Sequence, residues 1–185
     1  FDGNASSPYK EDDPTNPQSV YGRTKLDGEN AVLNSGASAL ILRTAWVYSL
    51  HGHNFLKTML RLAAVRDELT IVADQVGSPT STLALTDATI RLIEYFVEHD
   101  GFPAEVRGVY HMTCEGETSW AGFARAIIAA SNDSDTRVTD ITTADYPTPA
   151  ARPAYSVLCG DKLHRVFGIR LPDWEDALDT CMTGQ

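Results

Sequence analysis

The chain has 185 residues, of which 43% are hydrophobic and 22% charged, and its net charge is −10. These values are typical of a globular domain. The acidic balance argues against non-specific binding of nucleic acid, because phosphate contacts need clustered Lys and Arg. No apolar run approaches the roughly 20 residues of a membrane-spanning helix. The three cysteines (Cys114, Cys159 and Cys181) have no metal-ligand spacing and indicate free thiols in a reducing compartment. We therefore expect a cytoplasmic protein with no nucleic-acid or membrane partner.

The first third of the chain predicts a loop, a helix, a strand and a second helix. Residues 4–19 are rich in Asn, Ser, Pro and Asp, as loops are. Ser19 can cap a helix over residues 20–34. Residues 39–43 (ALILR) are a short continuous apolar run, typical of a strand that is buried on both faces of a parallel sheet. Asn54 can cap the helix that follows.

The same alternation continues through the rest of the chain. Residues 69–72 read as a strand, and residues 74–82, which contain Gly and Pro, predict a polar turn. The remaining predicted elements are a helix at 84–98, a strand at 109–112, a helix at 119–130, a strand at 137–141, and short helices near 161–167 and 173–182. Strands that alternate with helices of this length indicate an α/β architecture with a parallel sheet.

Tyr21 and Lys25 stand four residues apart on the first predicted helix, in the run YGRTK. Residues at this spacing lie on one face of a helix. An ammonium beside a phenol favours the phenolate. Such a tyrosine can give a proton to a carbonyl oxygen while a hydride reaches the carbon, and the lysine can hold a cofactor ribose. From the spacing alone, an ordinary exposed helix face is the better interpretation.

Several motifs in chain order carry a resemblance to a known family. Residues 20–29 (VYGRTKLDGE) resemble the active-site helix of extended short-chain dehydrogenase/reductases, and residues 1–3 (FDG) resemble the end of the segment that precedes it. The further motifs are LRTAWVY at 42–48, NFLKTML at 54–60, DQVGSPT at 74–80 and PTPAARP at 147–153. Together they resemble the dTDP-4-dehydrorhamnose reductases, and the resemblance covers nearly the whole chain.

The resemblance implies part of a Rossmann-like, doubly wound parallel sheet plus a smaller C-terminal α/β substrate-binding lobe. Residues 1–68 would form the C-terminal portion of the NAD(P)-binding Rossmann domain, with its active-site helix. Residues 69–185 would form mainly the substrate-binding lobe, with some segments returning to the Rossmann sheet. No glycine-rich phosphate loop follows a strand, and the family's catalytic Thr or Ser would precede Phe1. We therefore expect a piece of a longer protein that is inactive by itself.

The implied activity is the reduction of the 4-keto group of dTDP-4-dehydro-L-rhamnose to dTDP-L-rhamnose with NADPH or NADH, a step in the supply of nucleotide sugar for cell-wall polysaccharide. By resemblance, Tyr21 would be the proton donor, and Lys25 would favour its ionised form and hold the nicotinamide ribose. Thr44 and Ala45, just past a strand end, would lie beside the nicotinamide, where parallel sheets bind ligands.

The implied contacts with the dTDP-sugar come from four parts of the chain. Trp46 would stack near the sugar or the thymine, and its structural alternative is a core tryptophan. Arg152 would pair with the diphosphate, and its alternative is a surface arginine. Tyr155 stands where the family pattern has Asn, which weakens the transfer of roles around Arg152. The other residues expected to line the dTDP pocket are Asn54, Phe55, Gln75, Gly77, Pro79 and Thr80.

Some residues have only structural interpretations. Glu29 and Asp74 are predicted as solvated or capping residues. His51 and His53 flank a glycine in a loop, and they are too few to predict a metal site.

Two other functions stay open. A sugar-nucleotide epimerase or dehydratase of the same fold would need further acid/base groups, and no such carboxylate pair is evident. A non-catalytic regulatory subunit would not need the intact Tyr21 and Lys25. A homodimer and a fusion to another rhamnose-pathway enzyme are both compatible with the sequence.

Overall fold

A computed structural model describes residues 1–131, 135–150 and 152–184. Within these residues the helices are α1 (Val20–Asn34), α2 (Phe55–Ala63), α3 (Thr82–Glu98), α4 (Trp120–Ser131), α5 (Asp161–Phe167) and α6 (Trp174–Thr183). The strands are β1 (Leu40–Arg43), β2 (Val47–Tyr48), β3 (Glu68–Val72), β4 (Val76–Gly77), β5 (Thr80–Ser81), β6 (Gly108–His111), β7 (Thr118–Ser119) and β8 (Arg137–Ile141). Short 3-10 helices lie at Ala104–Val106 and Thr143–Asp145.

The strands pair two by two, and most of the pairs are parallel. β1 pairs with β6, β2 with β5 and β3 with β8 in parallel, whereas β4 and β7 are antiparallel. In the first pair Leu40 stands opposite Gly108 and Arg43 opposite His111. Parallel strands connected through helices confirm the predicted α/β fold class.

Side chains at the helix starts explain why these helices begin where they do. The Ser19 hydroxyl accepts a hydrogen bond from the Gly22 amide at 3.0 Å, as predicted. Asn54 caps α2 by accepting from the amide of Lys57. Each cap satisfies an amide that has no partner within its own helix.

The core gathers around α4, whose apolar face is buried. Phe123 is fully enclosed, and its ring centre lies 5.0 Å from that of Tyr48, 5.6 Å from that of Phe55 and 6.0 Å from that of Trp174. These contacts join α4 to β2, α2 and α6. The aromatic cluster therefore holds together elements that are distant in the chain.

In contrast, α1 has no buried residue. The prediction that the strand at 39–43 is buried on both faces is wrong for the described structure, since every residue of β1 keeps partial exposure. Among the described residues β1 pairs with β6 alone, so its other edge has no strand beside it.

The structure also differs from the prediction at residues 74–82, which do not form an exposed polar turn. This segment contains β4 and β5, and residues 77–81 are buried. Backbone pairing with β7 and β2 satisfies the polar groups of this segment, which allows it to lie inside.

Candidate active site

One cleft brings together three of the four residues that the sequence placed at the reaction centre, whereas Ala45 does not line it. Tyr21 and Lys25 reach it from α1, and Thr44 reaches it from the end of β1. Its volume is about 380 Å³. The other lining residues are Phe1, Thr15, Pro17, Leu26, Glu29, Leu42, Arg43 and Leu158. The cleft lies at the carboxyl end of a parallel strand, where open α/β sheets bind ligands.

The Tyr21 side chain is available to a reactant. It is 71% exposed, although tyrosine rings usually lie at least half inside a protein. The ammonium nitrogen of Lys25 lies 5.4 Å from the centre of the Tyr21 ring, within the range of a cation–π contact. The predicted juxtaposition of phenol and ammonium is therefore present.

The sequence interpretation missed an ion pair in the wall of this cleft. Nε of Arg43 donates to Oε1 of Glu29 at 2.9 Å, and Nη2 donates to Oε2 at 2.7 Å. The prediction that Glu29 is a solvated or capping residue is therefore wrong, because its side chain is only 17% exposed and pairs with Arg43. A charged residue at the end of the apolar run LILR was the available signal, since a buried arginine needs a partner.

Trp46 packs against a second tryptophan. Its ring stacks on that of Trp120 with centres 3.5 Å apart and planes 5° apart. A Cβ added to Gly77 would stand 2.4 Å from Cε2 of Trp46, so only glycine fits there. Trp46 also has a φ of 48°, an uncommon conformation for a bulky residue. A sugar or thymine would have to use the part of the indole that Trp120 leaves open.

Asn54 and Phe55 already make structural contacts. The Asn54 amide nitrogen donates to the carbonyls of Ser49 and His51, while its oxygen caps α2. The Phe55 ring lies 4.6 Å from the ring of Trp120.

Most of the predicted residues after position 74 are interior. Gln75, Gly77, Pro79 and Thr80 are buried. Nε2 of Gln75 donates to the hydroxyl of Thr143 at 3.0 Å, and the Thr80 hydroxyl accepts from the amide of Cys114. Arg152 is exposed at the surface, and its neighbour Ala151 lies outside the described residues. The structure therefore unites Tyr21, Lys25 and Thr44 in one cleft. The other predicted site residues do not line this cleft: Ala45, Trp46, Asn54, Phe55, Gln75, Gly77, Pro79, Thr80 and Arg152.

The remaining polar predictions have simple outcomes. Asp74 accepts hydrogen bonds from the amide and hydroxyl of Thr143, the first residue of a 3-10 helix. This contact agrees with the predicted capping role of Asp74. His51 and His53 are exposed loop residues.

In the described ranges no group of three or more His, Cys, Asp or Glu side chains is close enough together to hold a metal ion. No described helix is both long and apolar enough to cross a membrane.

His111, the last residue of β6, is completely buried, and its ring centre lies 5.7 Å from that of Phe1, which lines the cleft. Burial lowers the pKa of its imidazole; the Glu11 carboxylate opposes this shift, and Arg43 on the neighbouring strand adds to it. An unfolded histidine takes up a proton near pH 6.5. The unfolded chain therefore binds more protons than the folded one below that pH, and acid favours unfolding.

We expect the free energy of unfolding to fall as the pH drops from about 7.5 to about 5.5, by at most about 1.4 kcal/mol per pH unit for this one group. Urea unfolding at several pH values measures the slope. His111→Gln should flatten it, whereas His53→Gln, which changes an exposed loop histidine, should leave it unchanged. Equal slopes in the protein and in His111→Gln would exclude His111 as the cause.

The fold and the site together define a class. A tyrosine and a lysine four residues apart on a helix, facing a cleft at the end of a parallel strand, are the arrangement of a short-chain dehydrogenase/reductase. The family described as RmlD substrate binding domain matches residues 1–185. The chain belongs to this family, which confirms the resemblance to the dTDP-4-dehydrorhamnose reductases.

Individual relatives agree with this assignment. The dTDP-4-dehydrorhamnose reductase of Sinorhizobium fredii is 48% identical over 180 residues, which are 96% of this chain and 60% of that protein. The crystal structure of a dTDP-4-dehydrorhamnose reductase from Clostridium acetobutylicum is 42% identical, has a TM-score of 0.88, and is matched over 99% of this chain and 61% of its own.

A third relative was solved with a cofactor. The dTDP-4-dehydrorhamnose reductase of Bacillus anthracis, in complex with NADP, is 33% identical with a TM-score of 0.89, over 100% of this chain and 62% of its own. The chain thus spans about 60% of the length of the relatives that it matches.

Proposed function

We propose that the complete protein reduces the 4-keto group of dTDP-4-dehydro-L-rhamnose to dTDP-L-rhamnose with NADPH or NADH. The observation that carries this proposal is the exposed Tyr21 phenol beside the Lys25 ammonium in a cleft that Thr44 also lines. Family membership and the names of the relatives supply the substrate.

The residues present fit the nicotinamide end of such a cofactor. The Tyr21 hydroxyl and the Lys25 ammonium are exposed hydrogen-bond donors on one face of α1, suited to ribose hydroxyls, and Thr44 and Ala45 lie just past the strand end. When bound, the nicotinamide would supply the hydride. NADPH and NADH are equally compatible with these residues.

In the proposed reaction Tyr21 acts as a general acid. Its hydroxyl gives a proton to the 4-keto oxygen as the hydride reaches the carbon, which converts the ketone to an alcohol. The Lys25 ammonium stabilises the phenolate that is left, because an adjacent positive charge favours the ionised form. Because the side chain is exposed, water can return a proton to the phenolate.

The substrate contacts form the second part of the proposal. Trp46 is partly exposed and Arg152 is exposed, so both can contact a dTDP-sugar directly. Asn54, Phe55, Gln75, Gly77, Pro79 and Thr80 would act mainly by shaping the wall behind it, since their side chains already pack or hydrogen-bond inside. The two-lobe division at residue 68, a cytoplasmic location, a homodimer and a fusion partner all stay predictions.

The decrease of NADPH absorbance in the presence of dTDP-4-dehydro-L-rhamnose tests this function. The complete protein should oxidise NADPH, and residues 1–185 alone should not, because they contain no glycine-rich phosphate loop. Binding of the dTDP-sugar without any turnover by the complete protein would instead favour a non-catalytic subunit. Turnover by residues 1–185 alone would contradict the expected division of the cofactor site.

A further inference from the structure

The ion pair between Glu29 and Arg43 joins the helix of the candidate active site to the strand beside it. Both oxygens of Glu29 accept from the Arg43 guanidinium, which is the two-pronged geometry that makes such pairs strong and directional. The two side chains are only 17% and 15% exposed. This pair is therefore less screened by water than a surface salt bridge.

Within residues 1–185, which span about 60% of the length of the matched relatives, few other contacts orient α1. It has no buried residue, and in the described part of the chain no other hydrogen bond links α1 to β1. Glu29 lies one turn beyond Lys25 and two turns beyond Tyr21 on one face of the helix. Arg43 immediately precedes Thr44. The ion pair therefore holds the face of α1 that carries Tyr21 next to the end of β1, where Thr44 lies.

Arg43 also determines which cation Glu29 binds. A lysine and a glutamate four residues apart on a helix can pair with each other, so Lys25 is a competing partner for Glu29. Arg43 occupies both oxygens of that carboxylate, and Lys25 instead lies over the Tyr21 ring. Nη1 of Arg43 is buried without a hydrogen-bond partner among the described residues. Glu29 is the carboxylate that pairs with this guanidinium, through Nε and Nη2.

We propose that Glu29 and Arg43 are positioning residues for the reaction, an inference that rests on the proposed function. Arg43 holds Glu29 away from Lys25 and fixes α1 on β1. As a result, the Lys25 ammonium stays beside the Tyr21 phenol, and both face Thr44 across the cleft. Neither Glu29 nor Arg43 is required to touch the substrate or the cofactor.

The test compares Arg43→Gln with Glu29→Gln/Arg43→Gln in the complete protein. In Arg43→Gln the Glu29 carboxylate is free to bind Lys25, so kcat should fall about 10- to 100-fold, while KM for the dTDP-sugar changes less than about threefold. The double variant removes the competing carboxylate and should recover most of the lost kcat. A pair that only stabilised the fold would lower kcat in proportion to the loss of folded protein, so the melting temperature of each variant is measured beside its kinetics. The positioning role requires the fall in kcat to persist at a temperature where every variant is fully folded.

The matched control is Asp140→Asn, which removes a carboxylate from an ion pair with Arg125, between α4 and β8 and outside the cleft. It should leave kcat within about twofold. An Arg43→Gln variant that behaves like Asp140→Asn would overturn the proposal, as would a double variant no better than Arg43→Gln. If Arg43→Gln fails to fold, Arg43→Lys serves in its place, because lysine keeps the charge but cannot span both oxygens.

Hydrogen exchange of the α1 amides separates this inference from the proposed function. Arg43→Gln should exchange faster than the unchanged protein in α1, and Asp140→Asn should not. If the unchanged protein shows no turnover, the proposed reaction fails, and the exchange rates alone decide whether the pair orients α1. Equal exchange in α1 for all three proteins would overturn the positioning role.

Discussion

Tyr21→Phe should reduce turnover of dTDP-4-dehydro-L-rhamnose about 10²- to 10⁴-fold, the usual contribution of a general acid. The substitution removes only the hydroxyl that gives the proton. The ring is exposed, so stability should change by less than about 0.5 kcal/mol. The contact between Lys25 and the ring should persist, because phenylalanine keeps the π-face. NADPH oxidation under saturating substrate, with the Kd for NADPH measured in parallel, checks both parts.

Tyr95→Phe is the matched control, because it removes a hydroxyl from a tyrosine on α3 that lies outside the cleft. It should keep full activity. Retention of more than about a third of kcat in Tyr21→Phe would mean that another group donates the proton. A loss of NADPH binding that accounts for the whole effect would make Tyr21 a binding residue and not the acid.

Phe123→Ala should reduce the free energy of unfolding by about 3–5 kcal/mol, the cost of a large cavity in a packed core. Phe123 is fully enclosed and contacts the rings of Tyr48, Phe55 and Trp174. Its removal would therefore loosen four elements at once. Urea unfolding followed by fluorescence gives the change, with a constant m-value as evidence that two-state unfolding is retained.

Two further variants calibrate this loss. Tyr146→Ala truncates an aromatic residue that is 61% exposed, and it should change stability by less than about 0.5 kcal/mol. Phe123→Leu keeps much of the volume and should lose less than half as much as Phe123→Ala. A loss of less than about 1 kcal/mol for Phe123→Ala would contradict the prediction that this buried aromatic cluster contributes strongly to stability.

Local sequence patterns place the predicted reacting groups but do not assign their roles. Periodicity puts Tyr21 and Lys25 one helical turn apart, and Thr44 follows an apolar strand. Their predicted part in a reaction comes from the family resemblance, because the spacing by itself also fits an exposed helix face. The caps Ser19 and Asn54 need only the local pattern, since a cap acts on amides two or three residues away.

Other parts of the site depend on contacts between distant segments. The stack of Trp46 on Trp120 joins β2 to α4, and no local pattern marks it. The segment at 74–82 has the composition of a surface turn, yet it is buried because β7 and β2 satisfy its backbone. The partner of Glu29 could be named only once α1 was known to lie on β1. Composition describes what a residue prefers, whereas its neighbours determine which preference is realised.

The parallel pairing of β3 with β8 has a consequence for synthesis of the protein. Thr139 donates a hydrogen bond to Glu68 across this pair, although the two residues are 71 positions apart in the chain. A growing chain that leaves the ribosome at about 5–20 residues per second therefore exposes β3 for several seconds before its partner emerges. Contacts of such long range also close slowly. During the interval between translation of β3 and of β8, the unpaired strand is open to aggregation and to binding by chaperones.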